Sequence, residues 1–236
     1  MAAFGNLLQG RPVWRGTACF EQAATVPTGF PALDRELPGG GWPAGGLTEL
    51  LGGREGIGEL QLVLPALASL TARGRRVAWL APPHLPYAPA LAAAGVDLVH
   101  LAVVRAPGRR DALWAAEQLL RAGSCHALLA WLPEARYPEL RRLAVAAGSS
   151  RSCALFFRPR AAAAEPSPAR LRLALEPGPD GQGLAVRILK RRGAPALAPV
   201  LVPVRKPFHA LDRASFPPPA ARDAGTARRL GLPVHA

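Results

Sequence analysis

The chain has 236 residues, half of them apolar, and a formal charge of +13 from 29 Lys plus Arg against 16 Asp plus Glu. That length suits one domain with a tail, or one and a half domains, and supplies enough apolar material for a sizeable core. No apolar run approaches the roughly 20 residues that span a bilayer, and MAAFGNLLQGRPVWRG lacks the charged start and apolar block of a signal peptide, so a cytoplasmic protein with no membrane segment is expected.

Residues 1–25 read as an amino-terminal arm. From residue 47 to about 158, short apolar runs alternate with helical patterns. GLTELLG is a strand, and residues 59–72 (ELQLVLPALASLTA) form a helix despite Pro65. RRVAWLAP gives a second strand, APALAAAG a short helix and VDLVHLAVV a third strand. GRRDALWAAEQLLRAG has apolar residues at 113, 116, 119 and 120, a helical spacing, with Asp111 near its start. HALLAWLP, YPELRRLAVAAG and SCALFFRP follow as strand, helix and strand. Near-continuous apolar strands separated by helices predict an α/β fold with a mostly parallel sheet covered on both faces.

After residue 158 the pattern changes. RAAAAEPSP reads as a linker, RLRLAL and LAVRILKRR as an antiparallel hairpin around a Gly/Pro/Asp turn, and PVLVPV as one more short strand. These complete a core over residues 26–205. Residues 206–236, rich in Pro and Arg and poor in periodicity, predict a disordered tail. Residues 151–236 hold 15 Arg plus Lys against 5 Asp plus Glu, so the carboxy-terminal third carries +10 of the +13 charge. Such a surface suits nucleic acid or an acidic protein. An arginine-rich composition is the weaker explanation, raised because 27 of the 29 basic residues are Arg.

The segment LGGREGIGEL, within a loop over 52–60, has the glycine spacing of a phosphate-binding loop, with Gly53 and Gly58 five apart as in G-x-x-x-x-G-K-[ST]. The two residues that should follow are Glu59 and Leu60, so the lysine and the Mg²⁺-binding hydroxyl are both lacking. The first lysine in the chain is Lys190. The glycines still permit a sharp strand-to-helix turn, and Glu59 in the first helical turn would sit at the dipole's positive end, in the place of a phosphate. Glu55 and Glu134 are nearby carboxylates of the solvated kind. His84, His100 and His126 are scattered without metal-ligand spacing. Cys19, Cys125 and Cys153 are odd in number and far apart, which argues against disulfides and a zinc cluster, and Cys125 and Cys153 read as buried small hydrophobes. No cofactor, metal or catalytic residue is expected.

TGFPALDRELPGGGWPAGGLTELLG and GVDLVHLAVVRAP resemble two segments of the RecA ATPase core at matching spacing. With VWRG near the start and GIGEL leading into a Leu-rich, Pro-containing helix, the chain resembles the ImuA family of RecA-like proteins. The cell-division inhibitor SulA is a related alternative. The resemblance implies a RecA-like fold over residues 26–204, with Trp131 at the position of the metal-binding Walker B aspartate and Pro83 at that of the general-base glutamate. It therefore implies a protein that is not an enzyme. It further implies a role in SOS mutagenesis with an ImuB-like inactive Y-family polymerase, RecA and an error-prone DnaE-type polymerase as partners, associated with the nucleoid when assembled. A SulA-like FtsZ-binding regulator and a DNA-binding module are the alternatives.

VRILKRRG resembles the RecA strand that carries two lysines toward a neighbouring protomer's nucleotide, with Lys190 and Arg192 in their places. Arg187, Lys190, Arg191 and Arg192 are thus interaction candidates, against the reading of a charged, solvated edge strand. Trp14 and Trp42, in irregular segments, are candidate interface anchors, as are Phe208 and Phe216 in the tail. Trp79, Trp131 and Trp114 are expected in the core.

Overall fold

Strands such as GLTELLG and CALFFRP carry apolar side chains on both faces, so they need cover above and below. The computed structural model, which describes residues 24–179, 183–196 and 198–204, supplies that cover. A two-residue strand β1 (Thr25–Val26) pairs antiparallel with β2 (Trp42–Pro43), with helix α1 (Pro31–Glu36) between them. Then come β3 (Gly46–Gly52), α2 (Glu59–Thr71), β4 (Val77–Leu80), α3 (Ala88–Ala93), β5 (Leu101–Val104), α4 (Arg109–Arg121), β6 (Ala127–Trp131), α5 (Tyr137–Ser150) and β7 (Cys153–Pro159). Three last strands follow: β8 (Leu171–Pro177), β9 (Leu184–Lys190) and β10 (Val200–Val202).

β3 to β10 form one eight-stranded sheet in the order β10-β9-β8-β3-β7-β6-β4-β5. The six strands from β8 to β5 run parallel, and β9 and β10 join antiparallel at one edge. This is a mixed-sheet α/β fold. Alternate residues of each central strand enter different cores. On one face Leu50, Trp79, Leu129, Leu155 and Leu173 pack with α1, α2 and α3, and on the other Leu47, Leu80, Leu128 and Phe156 pack with α4 and α5. Among the described residues, no helix is long and apolar enough to cross a membrane.

Four expectations need correction. VDLVHLAVV is not one strand: Asp97 Oδ1 accepts from the Val99 amide at 3.0 Å and turns Leu98–His100 into a 3-10 helix before β5 begins. RAAAAEPSP is not a slack linker, because Arg160–Ala164 forms a 3-10 helix with Ala162 buried. Trp42 is fully buried in the core and offers no surface anchor. Trp114, expected inside, is 65% exposed. Its helix buries Ala112, Leu113, Ala116 and Leu120, and position 114 falls on the opposite side of that stripe. Trp14, Cys19, Phe208, Phe216 and the tail lie outside the described residues.

The central strands are also bound by charge. Glu49 on β3 is completely buried, and its two carboxylate oxygens each take an arginine: Nη1 of Arg158 on β7 at 2.7 Å and Nε of Arg172 on β8 at 2.5 Å. Spare guanidinium donors go to backbone carbonyls: Arg158 Nη2 donates to Ala135 at 2.7 Å, and Arg172 Nη2 to Ala162 at 2.6 Å. Arg158 also meets Glu165 at 3.0 Å. The supposed linker is therefore held by the acceptors it presents to Arg172. Because a buried charge is tolerable only when paired, removing one member strands the others. Glu49→Ala should lose about 3–5 kcal/mol, read as a lower urea midpoint, while replacing Glu49, Arg158 and Arg172 together by Leu, Met and Met should lose far less.

Burial pushes the Cys125 thiol up to about 11 and the Cys153 thiol up to about 12. Raised folded values mean that the unfolded chain ionises first, near the ordinary 9.0. Stability should hold below pH 9 and fall as pH climbs from 9 toward 11. At pH 8 these two thiols should react with a disulfide reagent only after denaturation.

Candidate functional site

In open α/β sheets, ligand crevices form beyond the carboxyl ends of parallel strands. Here a cavity of about 620 Å³ opens at that end of β3, β4, β6 and β7. Its lining brings together Gly53, Glu59, Pro83 and Trp131, positions that the sequence reading had singled out separately, and adds Phe157 and Arg158.

The loop from β3 to α2 is shaped by glycine where glycine is needed. Gly58, the residue before the helix, has φ of 103°, and a Cβ placed on it would stand 2.7 Å from Val204 Cγ2. Glu59 follows, and its Oε1 accepts the Gly56 N–H at 2.9 Å, a local closure across three residues. Its Oε2 is buried without a protein partner among the described residues. The carboxylate thus sits on a backbone donor of the loop and at the positive end of the α2 dipole, where it contributes about 0.3–1 kcal/mol.

Trp131, the last residue of β6, does not project a metal ligand. Its ring stacks on Phe157 of β7, with centroids 4.7 Å apart and planes 13° from parallel, and tilts against Trp79 of β4 at 5.6 Å. Aromatic rings therefore fill the strand ends. Two of the three arginines that line the cavity are committed elsewhere, and the third, Arg54 in the loop, makes no ion pair among the described residues. Arg158 belongs to the Glu49 network, and Arg109 binds Glu139 with contacts of 2.5 and 2.6 Å. No lysine lines the cavity. At the rim, Glu55 meets His84 at 2.7 Å, both well exposed. Among the described residues, no group of His, Cys, Asp and Glu could hold a metal ion.

The basic candidates do not join this site. Lys190 lies opposite Arg172 near the amino-terminal end of β8, whereas Leu175, nearer the strand's other end, lines the cavity. Lys190 Nζ donates to the Ser167 carbonyl at 2.8 Å. Arg191 donates to the Glu36 and Ala194 carbonyls and pairs with the Glu36 carboxylate at 3.0 Å. Arg187 and Arg192 are exposed. β9 is not the sheet's edge strand, since β10 lies outside it, although β10 covers only Leu184–Val186.

Sequence reasoning passed over the ion-paired trio. The signal was there: Glu49 and Arg158 are the single charges of β3 and β7, and Arg172 is set among the apolar residues of β8 with only Glu176 near its end, a setting in which a charge must be paired.

Fold and cavity together define an α/β protein with a strand, glycine loop and helix arranged as for phosphate, and a carboxylate in the loop. Comparison shows partial homology to RecA and to SulA. The chain is 32% identical over 119 residues to RecA of a Picosynechococcus species, a match that spans 50% of this chain and 34% of that RecA. It is 36% identical over 117 residues to RecA of Acholeplasma laidlawii, again 34% of the relative's length. With the cell division inhibitor SulA of Edwardsiella piscicida it shares 35% identity over 109 residues, 44% of this chain and 65% of SulA. The crystal structure of SulA from Pseudomonas aeruginosa overlaps half of this chain and 99% of its own, with 25% identity and a TM-score of 0.42. No protein-family model matches.

Two glycines separate the roles in the loop. Gly58→Ala should lose more than about 1 kcal/mol of stability, because its left-handed backbone and its contact with Val204 both refuse a methyl group. Gly53→Ala, with nothing within 4 Å of the added carbon, should leave the urea midpoint unchanged or raise it.

Proposed function

We propose that this chain is a non-catalytic, RecA-like accessory protein of the ImuA type, acting in SOS mutagenesis through protein contacts. The observation that carries this reading is Glu59: its carboxylate closes onto the Gly56 N–H, in the loop where an ATPase would hold a phosphate. A phosphate 4 Å from that carboxylate would be repelled by roughly 4 kcal/mol per charge pair at an effective dielectric of about 20. The stacked Trp131 and Phe157 give Mg²⁺ no oxygen ligand at the strand ends. The partial homology to RecA supports descent from a nucleotide-binding ancestor whose chemistry has been dropped. In this reading the partners are an ImuB-like inactive Y-family polymerase, RecA and an error-prone DnaE-type polymerase, and the protein works in the cytoplasm, at the nucleoid when assembled.

A second reading draws on the match that spans 65% of SulA. In that case the chain restrains cell division by binding FtsZ. Purified protein titrated with a fluorescent ATP analogue and Mg²⁺ should show no saturable binding up to millimolar concentration. In a pull-down with purified candidates, the ImuB homologue should be retained. Retention of FtsZ without the ImuB homologue would move the assignment to the second reading, and saturable ATP binding would remove the basis of both.

A further inference from the structure

The face of the molecule furthest from expectation is the outer side of α4 and α5. Both helices join parallel strands, so they run side by side in the same direction. Their relative height is bounded near both ends: Arg109 pairs with Glu139, and a Cβ on Gly123 would lie 3.9 Å from Ser150 Cβ. Trp114 is five residues beyond Arg109 and Val145 six beyond Glu139. At about 1.5 Å of rise per residue, the first pair sets the two within about 2 Å of the same level and the second within about 6 Å, so they stand no more than about one helical turn apart. Each is 65% exposed, which is unusual for two large apolar side chains on neighbouring helices.

Arginines frame them. Arg110 and Arg121 flank Trp114 on its own helical stripe, and Arg141 and Arg142 lie one turn before Val145. The acids of the two helices are largely spent, Glu117 on Arg121 and Glu139 on Arg109, which leaves Asp111. Arg110, Arg141 and Arg142 make no ion pair among the described residues. The surface combines two apolar anchors with unneutralised guanidinium groups.

We propose that the α4–α5 face is a docking surface for an acidic amphipathic segment of a protein partner, whose apolar stripe covers Trp114 and Val145 while its carboxylates meet Arg110, Arg141 and Arg142. Tryptophan and arginine at the centre of such a patch are the residue types that carry binding energy. A helix laid along two neighbouring helices presents anchors one turn apart, which suits side chains at this spacing. The aliphatic Val145 beside Trp114 favours an apolar side chain over a stacked base. This surface is separate from the cavity, and its use does not depend on the function proposed above.

The full chain would be titrated with a fluorescein-labelled 15-residue peptide carrying Leu at helical spacing and Glu elsewhere, with a Lys-for-Glu version and a labelled oligothymidylate as competing probes. The acidic peptide should bind, more weakly as salt rises, and Trp114→Ala and Arg141→Glu/Arg142→Glu should each weaken it at least tenfold. Arg187→Glu, on β9, should leave it unchanged. Circular-dichroism melts would confirm that these exposed substitutions leave the fold intact. The proposal is overturned by no binding of the acidic peptide, by equal binding of the Lys version, or by an unchanged affinity in Trp114→Ala. It is also overturned if the oligonucleotide binds and Trp114→Ala abolishes that binding, or if light scattering shows a dimer of the chain that Trp114→Ala dissolves.

Discussion

A carboxylate with no access to solvent, gripped by two guanidinium groups from strands on either side, is the constraint around which this sheet is arranged. Glu49 cannot remain charged in the interior without both arginines, and the arginines cannot remain there without the carbonyl groups of residues 135 and 162. Each of these demands fixes a neighbour: β7 and β8 must flank β3 in one register, and the turn after β7 must fold back to present Ala162. Apolar packing alone would tolerate a strand slipping by two residues. The ion-paired trio would not, because a slip would separate the oxygens from their donors.

The same strands end at the cavity, and the contrast between its walls and its shape is informative. The shape is that of a phosphate site: a tight glycine turn, a helix N-terminus and a crevice at the ends of parallel strands. The walls are carboxylate, aromatic and aliphatic, with arginines at positions 54, 109 and 158 and no lysine. Glu59 satisfies a loop amide from within the chain, and the cluster of Trp79, Trp131 and Phe157 gives the strand ends a packed aromatic surface. Such a loop is closed by a contact within the chain itself.

Much of this could be read from residue order, and the exceptions have physical causes. Apolar runs separated by helical spacing locate the strands and helices, because periodicity reports burial on one or two faces. Glu59 and Leu60 announce the altered loop, since they occupy positions defined by local spacing. What spacing does not report is which strands become neighbours. The pairing of Glu49 with Arg158 and Arg172 spans 109 and 123 residues and is invisible until β3 is placed between β7 and β8. Trp42 looked exposed because its segment is irregular, yet pairing of β1 with β2 carries it inside. Trp114 looked buried because aromatic residues on amphipathic helices usually are. Its place on the wheel, a third of a turn beyond Leu113, puts it on the outside.

The contact between Gly58 and Val204 has a bearing on how the molecule forms. The glycine belongs to the first loop of the large sheet and the valine to the last described turn, so one wall of that loop is delivered only after every strand of the sheet has been made. β3 likewise waits for both of its neighbours, one of which is β8. On a ribosome, the strand at the middle of the sheet would emerge early and remain an open edge while more than a hundred further residues were made. Assembly from the middle outward is thus barred by topology, and the chain must hold an unpaired apolar strand with a charge in it until its arginines arrive.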